Sequence, residues 1–430
     1  MGRMRRSRHL MPAVVLAAGL LAATLPGAWA ATLDVAPTQS LVDAVEAAAP
    51  GDVLRLGKGE YAGPVVIRKP LTIEAVEEAI VKGDGEASVI TVESPDVTIR
   101  GLRVTGSGIK LDEMDAGIFL AKTARRAVVE HNRLENNLVG IYVHGAADAL
   151  VRSNHIVDRS DLRLNEAGNG IHVWNAPGAQ VIGNDIQYGR DGIYVISSRK
   201  NVFRDNRIRD LRYAVHYMYT NDSEVSGNIS INNHAGFAIM YSDRLKVTGN
   251  LSTGDRDRGL FFNYANMSDI GTNVVRAAPE KCVFLYNANK NRFHDNWFEG
   301  CEIGIHFTAG SERNRIAGNA FVSNRTQVKY VGTRYVDWSD EGRGNYWSDN
   351  PAFDLDGDGL ADTAYKPNDL VDEILWVNPN AKILLNSPAV QVVRWAQTQF
   401  PAIHPGGVID SAPLMKPPPI AEPEWKADSR

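Results

Sequence analysis

An imidazole and a thioether stand two residues apart in Tyr213-Ala214-Val215-His216-Tyr217-Met218, and a second thioether, Met240, follows Met218 by 22 residues. In an extended strand, residues i and i+2 share a face, so His216 and Met218 would point the same way. If the chain repeats its course every 22 residues, Met240 falls beside Met218, about 4.8 Å away, one strand spacing. Nitrogen and thioether donors together suit a soft, reduced ion, Cu(I) above all, because hard cations prefer oxygen. His216, Met218 and Met240 are therefore the expected copper ligands, with His144 and His172 on the same face but in earlier repeats. Stacked methionines packing against aromatics such as Tyr217 or Tyr219 would give the same pattern.

A second constellation is made of oxygen. Asp354-Leu355-Asp356-Gly357-Asp358-Gly359-Leu360-Ala361-Asp362 carries carboxylates at positions 1, 3, 5 and 9 and glycine at 6, the spacing of a calcium loop. Position 12 is Tyr365, so the bidentate glutamate is missing. Asp354, Asp356, Asp358 and Asp362 are expected either to hold a structural calcium ion or to form a solvated turn. Cys282 and Cys301 are the two cysteines. They could bridge or form a thiolate site; their offset within the repeat favours a structural role.

What must position these residues is a repeat. Asn132, Asn154, Asn184, Asn206, Asn228, Asn250, Asn273, Asn296 and Asn319 recur at spacings of 22 or 23, with one of 30. A fixed period over so many copies is the signature of a solenoid. Each unit holds short alternating segments separated by Gly, Asn, Asp and Ser, with no room for a crossover helix. The expected architecture is all-β: a right-handed parallel β-helix whose asparagines stack at one turn, where a left-handed backbone is tolerated.

Period two sorts the faces. After each leading glycine the second column reads Ile141, Ile171, Ile193, Val215, Phe237, Leu260, Val283, Ile305, and the fourth Val143, Val173, Val195, Tyr217, Ile239, Phe262, Leu285, Phe307. Both are apolar throughout and face the core. The third column (Tyr142, His172, Tyr194, His216, Ala238, Phe261, Phe284, His306) and the fifth (including His144, Trp174, Met218 and Met240) face outward. So aromatic a surface is expected to be covered or to serve as a contact, with Trp174 and Tyr194 in it. Parallel β-helices often act on polysaccharides, so a lyase, hydrolase or epimerase is the alternative function. Those chemistries need carboxylates, Arg or His grouped on this face; in these coils the third and fifth columns carry no Asp, Glu, Arg or Lys.

The ends add context. Arg3, Arg5, Arg6 and Arg8 precede an apolar run from Met11 to Leu25 and an Ala28-Trp29-Ala30 cleavage site, so residues 1–30 are expected to be a secretory signal peptide. Loss of its four arginines takes the formal charge from −5 to −9, without Lys/Arg runs, which speaks against nucleic acid. Residues 31–340 are assigned to the solenoid, opened by a capping helix near Ser40–Ala48, and 341–430 to an extension. An insertion, Asp161 to Asn169, interrupts the regular coils. In the extension, Ser387 followed by Pro388 starts a helix to Phe400. Its stripe, with Trp395 and Phe400, is expected either to cap the solenoid or to dock on a partner.

Asn169-Gly170-Ile171-His172-Val173-Trp174, Arg190-Asp191-Gly192-Ile193-Tyr194-Val195, Ala214-Val215-His216-Tyr217-Met218-Tyr219, Gly344-Asn345-Tyr346-Trp347-Ser348-Asp349-Asn350 through Asp354-Leu355-Asp356-Gly357-Asp358-Gly359, Ser387-Pro388-Ala389-Val390-Gln391 and Arg394-Trp395-Ala396-Gln397 together resemble the NosD family of periplasmic maturation factors of nitrous oxide reductase. The likeness spans essentially the whole mature chain. It implies a non-enzymatic periplasmic protein, membrane-associated through an ABC transporter of NosF ATPase and NosY membrane subunits. It also implies a role in assembling the reductase's copper–sulfide centre, with copper(I) arriving from the chaperone NosL. It supplies no ligand set, so the His/Met assignment rests on the columns alone.

Overall fold

The computed structural model describes Gly2 and residues 30–308, 310–332, 334–384, 387–400 and 407–425; apart from Gly2 and Ala30, the expected signal peptide lies outside them. The chain coils as a parallel β-solenoid. Twelve strands, from Val65–Ile67 to Thr326–Val331, stack in chain order into one sheet. The register is the one periodicity demands: Ile171, Ile193, Val215, Phe237, Leu260, Val283 and Ile305 lie side by side, as do Val173, Val195, Tyr217, Ile239, Phe262, Leu285 and Phe307. None of these is more than 3% exposed. A short parallel strand has too few internal contacts to persist alone, so each rung is held by burial against its neighbours. Truncating one of the buried phenylalanines would cost about 3–5 kcal/mol.

The asparagines form a continuous ladder from Asn132 to Asn345, each at most 2% exposed. Each rung repeats one pattern. Asn206 donates from its backbone N and from Nδ2 to Oδ1 of Asn228, at 3.0 and 2.9 Å, and from Nδ2 to the Val181 carbonyl at 2.9 Å. Every polar atom the corner buries is thereby answered. The left-handed conformation, however, falls not on the ladder asparagines but on the residue before each one. From Asn132 to Asn319 that residue is His131, Ser153, Gly183, Asp205, Gly227, Gly249, Thr272, Asp295 or Gly318; Gly344, before Asn345, does not share the bend. The asparagine side chain must point inward to reach the next rung, so its predecessor makes the bend.

Strict alternation also fails at the leading glycines. A Cβ on Gly192 would lie 2.3 Å from Ile208 Cγ2, and one on Gly170 2.4 Å from Ile186 Cγ2, so both positions face the interior, as the following isoleucine does. The residue before the glycine consequently points outward.

Helix α1 (Leu41–Ala47) closes the first coil, with Leu41 and Val45 buried and the Ser40 side chain accepting from Asp43 N at 3.2 Å. At the far end Tyr346–Trp347 pairs with Ala320–Phe321, so coiling continues past residue 340. Gly407–Ile409 then pairs with Tyr335–Asp337. Asp410 accepts from Asn345 N and Trp347 Nε1, both at 2.7 Å. The tail, including a Glu422–Arg276 ion pair, thus folds back on the solenoid. Cys282 occupies the inward glycine column and is bridged to Cys301 inside the core. Between the last rung and the returning tail lie α2 (Leu370–Val377) and α3 (Pro388–Gln399), packed on each other.

Candidate functional site

The inward glycines bring a further column into the outward face, the one that precedes them: Asn169, Asp191, Tyr213, Ala235, Arg258, Lys281 and Ile303. The expectation that this face lacks charge is therefore wrong, and wrong because period two was carried through a glycine where the strand bends.

Asp191 shows the consequence. On the neighbouring rung, Arg212 donates to both its oxygens at 2.8 and 2.6 Å, and His216 Nδ1 lies 2.9 Å from its Oδ2. The Asp191 side chain is 2% exposed. Burial works to raise its pKa, but the His216 and Arg212 hydrogen bonds prevail and hold it below the usual carboxylate range. With Nδ1 2.9 Å from the Asp191 carboxylate and 3.3 Å from Arg212 Nη2, the imidazole is held in orientation, and Nε2 is the ring nitrogen those two partners leave unengaged. Asp191 and Arg212 were missed from the sequence, although the Asp-Gly step beginning a strand marks the place.

His216 and Met218 share the outward face of Tyr213–Met218, and the register sets Met218 directly beside Met240. The Tyr194 hydroxyl lies 3.8 Å from Met218 Sδ. The expected surface position holds only in part. Met218 and Met240 are half-buried, while His216 is 8% exposed, its ring against Tyr194 at 4.8 Å and Tyr213 at 5.0 Å. Trp174 is 38% exposed and Tyr194 half-buried.

The rings of the third column stack along the axis. Tyr142–His172, His172–Tyr194 and Tyr194–His216 are separated by 4.6, 4.8 and 4.8 Å; Ala238 breaks the series, which resumes at Phe261–Phe284, 5.3 Å apart, and Phe284–His306, 4.8 Å apart. His172 is buried with neither ring nitrogen hydrogen-bonded, and burial pushes its pKa down to about 3. The insertion covers the start of this face: Leu162 packs with Leu111, Met114 and Phe119 against Tyr142, Leu138 and Val139.

The acidic loop lies beyond the last rung. Oxygens of Asp354, Asp356 and Asp358 lie within 4.8 Å of one another. The loop also closes on itself. Asp354 accepts from Gly357 N and Gly359 N at 2.6 and 2.9 Å, and Asp362 from Leu355 N at 2.9 Å. In α3, Ser387 caps as expected and Trp395 and Phe400 are 63% and 59% exposed. No helix among the described residues is long and apolar enough to cross a membrane.

Residues 152–352 match the family described as "Periplasmic copper-binding protein (NosD)". The chain is 40% identical over 378 residues to "Probable ABC transporter binding protein NosD" of Stutzerimonas stutzeri, covering 85% of this chain and 87% of that one. It is 41% identical over 381 residues to the protein of the same name in Pseudomonas aeruginosa, covering 86% and 89%. Among solved structures, bacteriophage phi29 gene product 12 superposes with a TM-score of 0.61 at 11% identity, covering 73% of this chain and 50% of that one. The PL6 polysaccharide lyase Pedsa3628 from Pseudopedobacter saltans gives 0.52 at 13% identity, covering 68% and 85%. Likeness at that identity concerns the coiling alone, whereas identity near 40% over most of both chains fixes descent: the chain belongs to the NosD family.

Proposed function

We propose that this chain is a periplasmic, non-enzymatic accessory protein that docks on an ABC transporter and passes copper(I), sulfur or both to apo-nitrous oxide reductase for its copper–sulfide centre. The observation that carries the copper step is the fixed His216 imidazole, anchored through Nδ1 to buried Asp191, with two adjacent thioethers on the same face. His216, Met218 and Met240 would hold the ion, which is cargo here, and their softness matches its reduced state. A half-buried position limits oxidation yet leaves a route for exchange with a donor such as NosL. Trp174, Tyr194 and the exposed α3 residues Trp395 and Phe400 are proposed as docking contacts for transporter and client.

An enzyme on the same fold finds less support. Asp191 is the carboxylate best placed on this face, but both oxygens are committed to Arg212 and one also to His216, so it is poorly available as an acid or base. Phe261 and Phe284 stack at an interplanar angle of 5°, so the faces they turn to each other are not free for sugar. The test is co-purification with the candidate ATPase and membrane subunit, followed by metal analysis and a reductase maturation assay. Specific association and loss of the copper–sulfide centre without this chain are expected. Turnover of a polysaccharide with no transporter association would contradict the proposal.

A further inference from the structure

Three rungs beyond Asp191 the outward face changes sign. Arg258 and Lys281 lie side by side in the column before the glycines, and Lys329 lies beside His306 in the third column. Their floor is aromatic: Arg258 Cζ is 4.7 Å from the Phe261 ring centre and 5.3 Å from that of Phe284, and Lys281 Nζ is 5.9 Å from Phe284. The Arg258 and Lys281 side chains are only 22% and 17% exposed. Asp257 pairs with Arg258 and lies 3.8 Å from Lys281, which also meets Glu280 at 2.9 Å. Two carboxylates therefore answer three cations, and among the described residues no carboxylate is placed to answer Lys329.

His306 reports that the three converge. Its Nδ1 is buried without a hydrogen-bond partner, and after burial itself the charges acting on the ring are Lys329, Lys281 and Arg258. Half-burying like charges together is costly in a chain whose overall balance is acidic. A face built this way is stabilised by an anion.

We propose that Arg258, Lys281 and Lys329 form an anion-binding subsite on the outward strand face, taking a compact oxyanion or carboxylate group. The subsite is distinct from the His216 cluster and stands whether or not copper binds there. A free inorganic anion and a carboxylate carried by a peptide segment share the chemistry that these cations recognise.

The test is calorimetric titration of the whole mature protein with sodium sulfate, and separately with a short glutamate peptide, at constant ionic strength. Saturable one-to-one binding is expected, weakened at least tenfold in Lys329→Gln and in Lys281→Gln and unchanged in Lys290→Gln, an exposed turn lysine. Circular dichroism and thermal melting establish that each variant folds. Saturable sulfate binding alone assigns the subsite to a free anion; peptide binding that competes with sulfate assigns it to an acidic protein segment. Non-saturable heats with both, or equal affinity in the parent and the two face variants, would overturn the proposal.

Discussion

The asparagine corner and the outward strand face are built on the same rungs and obey opposite rules. At the corner one residue type recurs from Asn132 to Asn345, and each side chain satisfies the next. On the outward face the residue changes from rung to rung, and His172, His306 and Asn263 keep buried polar atoms with no hydrogen bond. Where the solenoid only holds itself up, it repeats. Where it departs from the repeat, charges, imidazoles and thioethers gather, and some are left incompletely satisfied. Binding function belongs to the second region because a ligand has something to add there.

The largest effect should come from breaking the corner. Asn228→Leu removes the acceptor of two hydrogen bonds from Asn206 and donors to Asn250 and the Phe203 carbonyl. It should destabilise by about 3–5 kcal/mol in denaturant unfolding, since several buried groups lose partners at about 1–3 kcal/mol each. A loss below about 1 kcal/mol would mean that the ladder is ornamental and that core packing alone sets the register.

Acid should act on the other region. The His172 pKa falls from 6.5 to about 3 on folding, with burial the leading cause. The unfolded chain therefore binds the proton more readily between those values. The contribution is fully present above about pH 6.5 and is lost as pH falls towards 3. Between pH 7 and 4.5 this group should cost roughly 2–3 kcal/mol, and His172→Phe, which keeps a ring in the stack, should flatten the profile by that amount. An unchanged slope in the variant would show that the imidazole already has a partner when folded.

The docking surface should be separable from the fold. Trp395→Ser with Phe400→Ser alters two exposed side chains outside the solenoid, so the coils should stay folded by circular dichroism. Transporter co-purification should drop severalfold. Intact association would leave α3 a capping role only.

Smallest of all should be the effect of calcium. If the acidic loop holds the ion, chelation should accelerate proteolysis within residues 351–366 while the coils stay protected. Equal cleavage with and without chelator would identify a turn closed by its own carboxylates.

The contrast also explains what could be read in the sequence. Period 22 and the apolar columns gave the strands, register and asparagine ladder, because a repeated residue declares its environment many times over; α1 and α3 were legible from local amphipathic and capping signals, and α2 (Leu370–Val377) was not read. The Asp191–Arg212–His216 cluster was hidden because it depends on a single bend: Gly192 turns inward, where a side chain would meet Ile208, and so throws Asp191 outward. The returning tail was illegible for a related reason. Asp410 meets Asn345 and Trp347 across some sixty residues, a contact that occurs once and leaves no periodic trace.

The central claim is that His216, Met218 and Met240 hold Cu(I). It is tested most directly by anaerobic competition titration of the mature protein with a chromophoric Cu(I) chelator, comparing the parent with Met218→Leu/Met240→Leu. The double variant preserves volume and apolarity and should lose less than about 1.5 kcal/mol of stability. The account expects one Cu(I) per parent chain and an affinity at least tenfold weaker in the variant, with the folded structure unchanged by circular dichroism. Equal Cu(I) affinity in the two proteins would contradict it and return the methionines to packing.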